Sequence, residues 1–171
     1  MAEIKYIALK GNDWLAKVIK YQTQSEYSHI AYLIPAEQAG PEYAIECWPE
    51  NIWKIFKVKW AIRPFLKSYP KGSEYEIWKL KVSEAQQVFI HNFMQGLANK
   101  GAYFDYVAAF GLFTKWRKEK EGQYFCSEGC VAPLVKVFGW SHIKPWLVTP
   151  EIFICIIQAA GGKLIKKEIV K

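Results

Sequence analysis

The chain has 171 residues, 51% hydrophobic and 16% aromatic with only 23% charged, a globular composition that excludes a disordered chain and leaves room for one core. A formal net charge of +7 favours anionic partners, an anionic surface included, but the lysines are scattered. The one dense run, WRKEKEG at 116–122, is broken by Glu119 and Glu121, and with no nucleic-acid-binding signature in the chain, no nucleic-acid partner is expected.

No apolar run reaches the roughly 18 residues of a membrane span. The start, MAEIKYIALKGNDW, lacks the apolar centre of a secretory signal, so a cytoplasmic protein, or one released by lysis, is expected. In a reducing compartment Cys47, Cys126, Cys130 and Cys155 read as free thiols. The sequence does not specify an oligomeric state.

In chain order, IKYIALK (4–10) is expected to be a strand ending at Gly11. Asn12 or Asp13 then caps a helix through WLAKVIKYQTQ, in which Trp14, Leu15, Val18 and Ile19 fall at helical spacing. SHIAYLI (28–34) and YAIECW (43–48) read as strands paired across the turn EQAGP (37–41). IWKIFKVKW (52–60) and YEIWKLKV (75–82) alternate as half-buried strands do, with an irregular stretch from Arg63-Pro64-Phe65 between them. Ser83 caps a helix that runs to Gly101 with Val88, Phe89, Phe93 and Leu97 as its apolar face. FDYVAAFGLFTKW (104–116) is expected to be helical, and another helix follows YFC and ends at Gly139, where Pro133 requires a place in the first turns or a kink. Thr149 caps a helix with Pro150 at its first position, and KLIKKEIV closes as a strand. This order predicts one α+β domain over 1–171, with antiparallel strands and helices packed on them.

The sharpest chemical signal is YFCSEGC, where Cys126 opens a helix. The N–H groups and partial positive charge of a helix start favour a thiolate and can receive an oxyanion. A small buried thiol in the core is the plainer reading of the same residue. A thiolate nucleophile needs a base, and of the three histidines His29 opens a strand beside a turn, His91 lies mid-helix and His142 lies in a loop. Pairing around residues 37–38 brings Glu46 opposite His29, where its carboxylate can fix the imidazole tautomer; otherwise Glu46 is an ordinary strand carboxylate. Cys126 and Cys130 are spaced as half of a zinc site, but no second close pair completes it, so neither metal nor cofactor is expected.

The succession YSHIAYLI, AIECW and YFCSEGC resembles the permuted papain-like enzymes of the YiiX/YaeF-like group, relatives of the NlpC-type cell-wall peptidases and the lecithin–retinol acyltransferase group. KGNDWLAKVIKYQTQSEYSH, KGAYFDYVAAFGLF and TPEIF extend the likeness over most of the chain. The resemblance implies a circularly permuted papain-like (NlpC-like) fold with Cys126 as nucleophile, His29 as base and Glu46 as orienting acid. It also implies a cysteine hydrolase, an amidase or peptidase that works through a thioester acyl-enzyme on a peptide-like amide or acyl-ester substrate. The alternatives are an acyltransferase or thiol esterase on the same triad, and a peptide- or lipid-binding module without catalysis. In this chain Gly129 and Cys130 follow CSE where relatives commonly place an apolar residue, which alters the packing behind the nucleophile.

Overall fold

The computed structural model describes residues 1–35, 43–49, 58–102 and 124–171. Along these the elements are β1 (Ala2–Lys10), α1 (Trp14–Thr23), β2 (His29–Leu33), β3 (Tyr43–Pro49), β4 (Val58–Pro64), α2 (Phe65–Ser68), β5 (Glu74–Val82), α3 (Glu84–Lys100), α4 (Cys126–Phe138), α5 (Pro150–Ala159) and β6 (Lys163–Ile169). The strands form a six-stranded sheet in the order β4-β3-β2-β1-β5-β6, with every neighbouring pair antiparallel. The architecture is α+β.

Alternation along the strands divides the core in two. Ile4, Tyr6 and Ala8 of β1, with Ile30 and Tyr32 of β2, belong to a cluster completed by Ile90, Met94 and Leu97 of α3, Cys130, Val131 and Leu134 of α4, and Phe153 of α5. The opposite face carries Ile7, Leu9, Ala31, Leu33 and Ala44, closed by Phe65 and Tyr69. By the same alternation His29 shares the face of Ala31, and Glu46 that of Ala44. The helix signals act as written: Asp13 accepts the Ala16 N–H, Ser83 and Gln86 form a reciprocal capping box, and Thr149 accepts the Ile152 N–H.

Four expectations need correction. In α1 the buried residue is Ala16, while Trp14, Val18 and Tyr21 face solvent; the smallest side chain lets the helix backbone approach Gly11 closely. In α3 the buried stripe is Ile90, His91, Met94 and Leu97, and Val88 and Phe89 are exposed. Strand β4 continues through Pro64, because it lies at the sheet edge where a missing N–H breaks no ladder. Pro133 stands inside helix α4, beyond its first turns, and the helix continues past it to Gly139, whose φ of 67° is the left-handed stop that glycine tolerates. The turn at 37–41, the first part of the 52–60 strand and the 104–116 helix lie outside the described residues.

Candidate active site

His29 is the first residue of β2, and the segment leading to it is fixed at successive positions. The Tyr27 hydroxyl donates to Glu76 Oε2 at 2.7 Å. Ser28 donates its N–H to the Leu9 carbonyl at 2.8 Å, and its Oγ accepts the Gly11 N–H at 3.0 Å. A Cβ at position 11 would lie 2.9 Å from Ser28 Oγ and 2.6 Å from the Ala16 Cβ, so glycine is required for this close approach.

Glu46 comes to His29 from β3, but not from directly opposite. The ladder pairs Tyr32 with Ile45 and Leu33 with Ala44, two positions away from the expected register. A shift of two residues preserves the face of every side chain, whereas a shift of one would have turned Glu46 to the other side. The two residues are therefore diagonal neighbours, and His29 Nε2 lies 3.2 Å from Glu46 Oε2. The same oxygen accepts the Tyr69 hydroxyl at 2.9 Å. Tyr69 also stands edge-on to the imidazole, with centroids 6.1 Å apart. Burial, then the charge of Glu46 and the hydrogen bond to it, pushes the Tyr69 hydroxyl well above its ordinary value, so it remains a donor.

Cys126 is the first residue of α4. Just before it, the Phe125 N–H donates to Glu128 Oε2 at 3.2 Å, which satisfies a donor at the helix start. Just after it, the Ser127 hydroxyl donates to the Val148 carbonyl at 2.6 Å. Behind Cys126 the indole of Trp60 lies against Gly129: a Cβ there would meet the ring at 2.3 Å. The indole N–H donates to the Tyr124 carbonyl at 3.1 Å. This explains the glycine after CSE, since the space that a side chain would take is filled by Trp60 of β4.

The Cys126 sulfur and the His29 ring are hydrogen-bonded. Burial by itself pushes the thiol up, but the hydrogen bond and charge of His29, with backbone N–H groups of Ile30 and Ser127, outweigh it and hold the thiol below its ordinary 9.0. Burial likewise opposes a charge on the imidazole, yet its hydrogen bonds to Cys126 and Glu46 raise His29 to about 9. Both shifts run toward a thiolate–imidazolium pair. The site is tight, with Cys126 retaining 7% of its surface and His29 3%.

The structure thus brings together Cys126, His29 and Glu46. His91 is apart from them, buried in α3 with its ring 6.0 Å from that of Tyr32, and burial lowers its pKa. His142 is exposed on its loop. Cys47 and Cys130 are buried in the core, and Cys155 is exposed. Tyr69 was not found from sequence; it lies before Pro70 in an irregular stretch, where a tyrosine carries no positional signature.

No protein-family model and no curated protein matches the sequence. Among solved structures the chain is similar to the metalloprotein YiiX from Escherichia coli O157:H7, with 15% sequence identity, a TM-score of 0.58 and 97% of each chain covered. At that identity the likeness is one of fold, and it extends over almost the whole of both chains.

Proposed function

We propose that this chain is a cysteine-dependent acyl-transfer hydrolase of permuted papain-like type, acting on an amide or ester carbonyl. The observation that carries the reading is the Cys126 sulfur at a helix start, hydrogen-bonded to an imidazole that is itself held by a buried carboxylate and a tyrosine. In the proposed cycle the Cys126 thiolate attacks the carbonyl carbon, and the C=O electron pair moves to oxygen. The backbone N–H groups of the first turn of α4 receive that oxyanion. His29 gives its proton to the departing amine or alcohol as the C–N or C–O bond breaks, leaving a thioester. Water then attacks the thioester with His29 taking its proton, and the carboxylic acid leaves with the thiolate restored. An acceptor other than water would make the same site a transferase. Glu46 and Tyr69 keep the ring aimed at the sulfur without touching substrate.

A bound metal, as the description of YiiX as a metalloprotein implies for that protein, does not fit this constellation. The imidazole Nε2 is taken by Glu46, and the ring also interacts with Cys126, a side-chain pairing rather than a set of ligands around one ion. Among the described residues there is no group of three or more His, Cys, Asp or Glu that could hold a metal.

The test is mass-mapped alkylation across pH, followed by a panel of amide and ester substrates. The expected outcome is preferential modification of Cys126 at neutral pH, weakened in His29→Ala, and a thioester adduct on Cys126 with at least one substrate. Labelling of all four cysteines at similar rates, indifferent to His29, would overturn the proposal. A reactive Cys126 that forms no adduct with any substrate would favour a binding module.

A further inference from the structure

We infer that the segment Val148 to Glu151, at the start of α5, sets the distance between Cys126 and His29, with Glu151 as a positioning residue; the inference rests on the acyl-transfer reading above. The nucleophile and the base stand on elements far apart in the chain, and a thiolate–imidazolium contact tolerates little error in their separation. This one short segment holds both. On the nucleophile side, the Ser127 hydroxyl donates to the Val148 carbonyl at 2.6 Å, with Ser127 fully buried. On the base side, Glu151 Oε2 accepts the Glu26 N–H at 3.0 Å and has Ser25 Oγ at 3.3 Å. Ser25 Oγ in turn accepts the Tyr27 N–H at 2.9 Å, so the carboxylate grips the segment whose next residues, Tyr27 and Ser28, lead directly into His29.

The segment can serve as a strut because it is anchored. Thr149 and Pro150 start the helix in a fixed direction. Phe153 is fully buried, with its ring edge-on to Tyr6 in the middle of the sheet at 4.9 Å. No ring contact, ion pair or hydrogen bond joins Glu151 itself to Cys126 or His29 in the described structure, so it acts through the loop. The Thr-Pro-Glu sequence at 149–151 thereby acquires a role that its cap signature alone does not suggest.

The experiment measures the pH profile of Cys126 alkylation in a Cys155→Ser background for the unaltered site and three variants. Glu151→Ala should lower the neutral-pH rate about tenfold and move the profile toward higher pH. Glu151→Gln, whose amide oxygen can still accept both the Glu26 N–H and the Ser25 hydroxyl, should restore it to within about twofold. Ile157→Val, which loosens α5 inside the core, should leave the profile in place. A Glu151→Ala profile that superimposes on the unaltered one, or an Ile157→Val shift of equal size, overturns the positioning role. An unaltered protein whose Cys126 ionises like a free thiol fails the acyl-transfer reading instead, and removes the strut's function with it.

Discussion

Cys126 and Cys130 lie one turn apart on the same helix, both are buried, and their thiols are driven in opposite directions. Burial raises Cys130 well above the ordinary thiol value, and the charges of Cys126 and Glu46 raise it further. Burial acts on Cys126 as well, but His29 and the N–H groups of Ile30 and Ser127 reverse the result. Low dielectric is thus common to the two, and the donors decide. A buried cysteine is inert by default, and it becomes a nucleophile only where the fold spends an imidazole and backbone N–H groups on it.

The largest expected effect removes the contrast entirely. Cys126→Ala should abolish any thioester adduct, whereas Cys130→Ala should retain it and show its loss mainly in thermal unfolding. His29→Ala comes next: without the imidazole, burial dominates at Cys126 as it does at Cys130, and the alkylation rate at pH 7 should fall about 10²-fold or more. The pH dependence of the unaltered protein follows from the same pair. Labelling should rise at a pH below 9.0, the ordinary thiol value, because His29 holds the thiol down. Turnover, which needs the imidazolium to protonate the leaving group, should decline as pH passes about 9, where His29 gives up its proton. A turnover profile that keeps climbing through pH 9 would remove His29 from the acid role.

Much of this contrast was legible in the sequence, and the parts that were not have physical reasons. The helix start at Cys126, the strand start at His29 and the caps at Ser83 and Thr149 all depend on local chemistry, which a sequence carries directly. Which face of a helix is buried depends on what it packs against. Helix α3 is apolar at Val88, Phe89, Ile90, Phe93, Met94 and Leu97, so two stripes can be drawn, and the sheet selects the one through Ile90 and Met94. In α1 half of the expected stripe, Trp14 and Val18, is turned outward because Ala16 permits the close contact with Gly11. The His29–Glu46 partnership survived a register error because two residues is one full period of a strand. Tyr69 and the match of Trp60 to Gly129 are long-range juxtapositions, and neither has a spacing to read.

Gly129, one of the three residues between the two thiols, offers a packing test of smaller size. Gly129→Ala drives a methyl into the Trp60 ring at 2.3 Å, and overpacking of this kind typically costs about 1–3 kcal/mol. Gly96, inside α3, has nothing within 4 Å of its hypothetical Cβ, so Gly96→Ala should instead stabilise by roughly 0.5–1 kcal/mol. Denaturant unfolding of both variants checks the pair, and equal effects would mean that Trp60 yields without strain. In Gly129→Ala the displaced ring should also disturb the first turn of α4 and slow Cys126 labelling, an effect that Gly96→Ala should lack.

The smallest effect is expected at Tyr69, which separates the two ways a third group can serve the pair. Tyr69→Phe keeps the ring beside the imidazole and removes only the hydroxyl that donates to Glu46 Oε2. If that hydroxyl chiefly offsets the carboxylate's charge, its removal leaves more of the charge to the imidazolium. The pH at which turnover declines should then rise above about 9 by less than one unit. This direction is the expected one, because the edge-on ring contact that limits tilting of His29 survives in phenylalanine. A decline at lower pH, with slower labelling of Cys126, would mean instead that the hydroxyl holds Glu46 in place, and that the imidazole depends on the carboxylate's position more than on its charge.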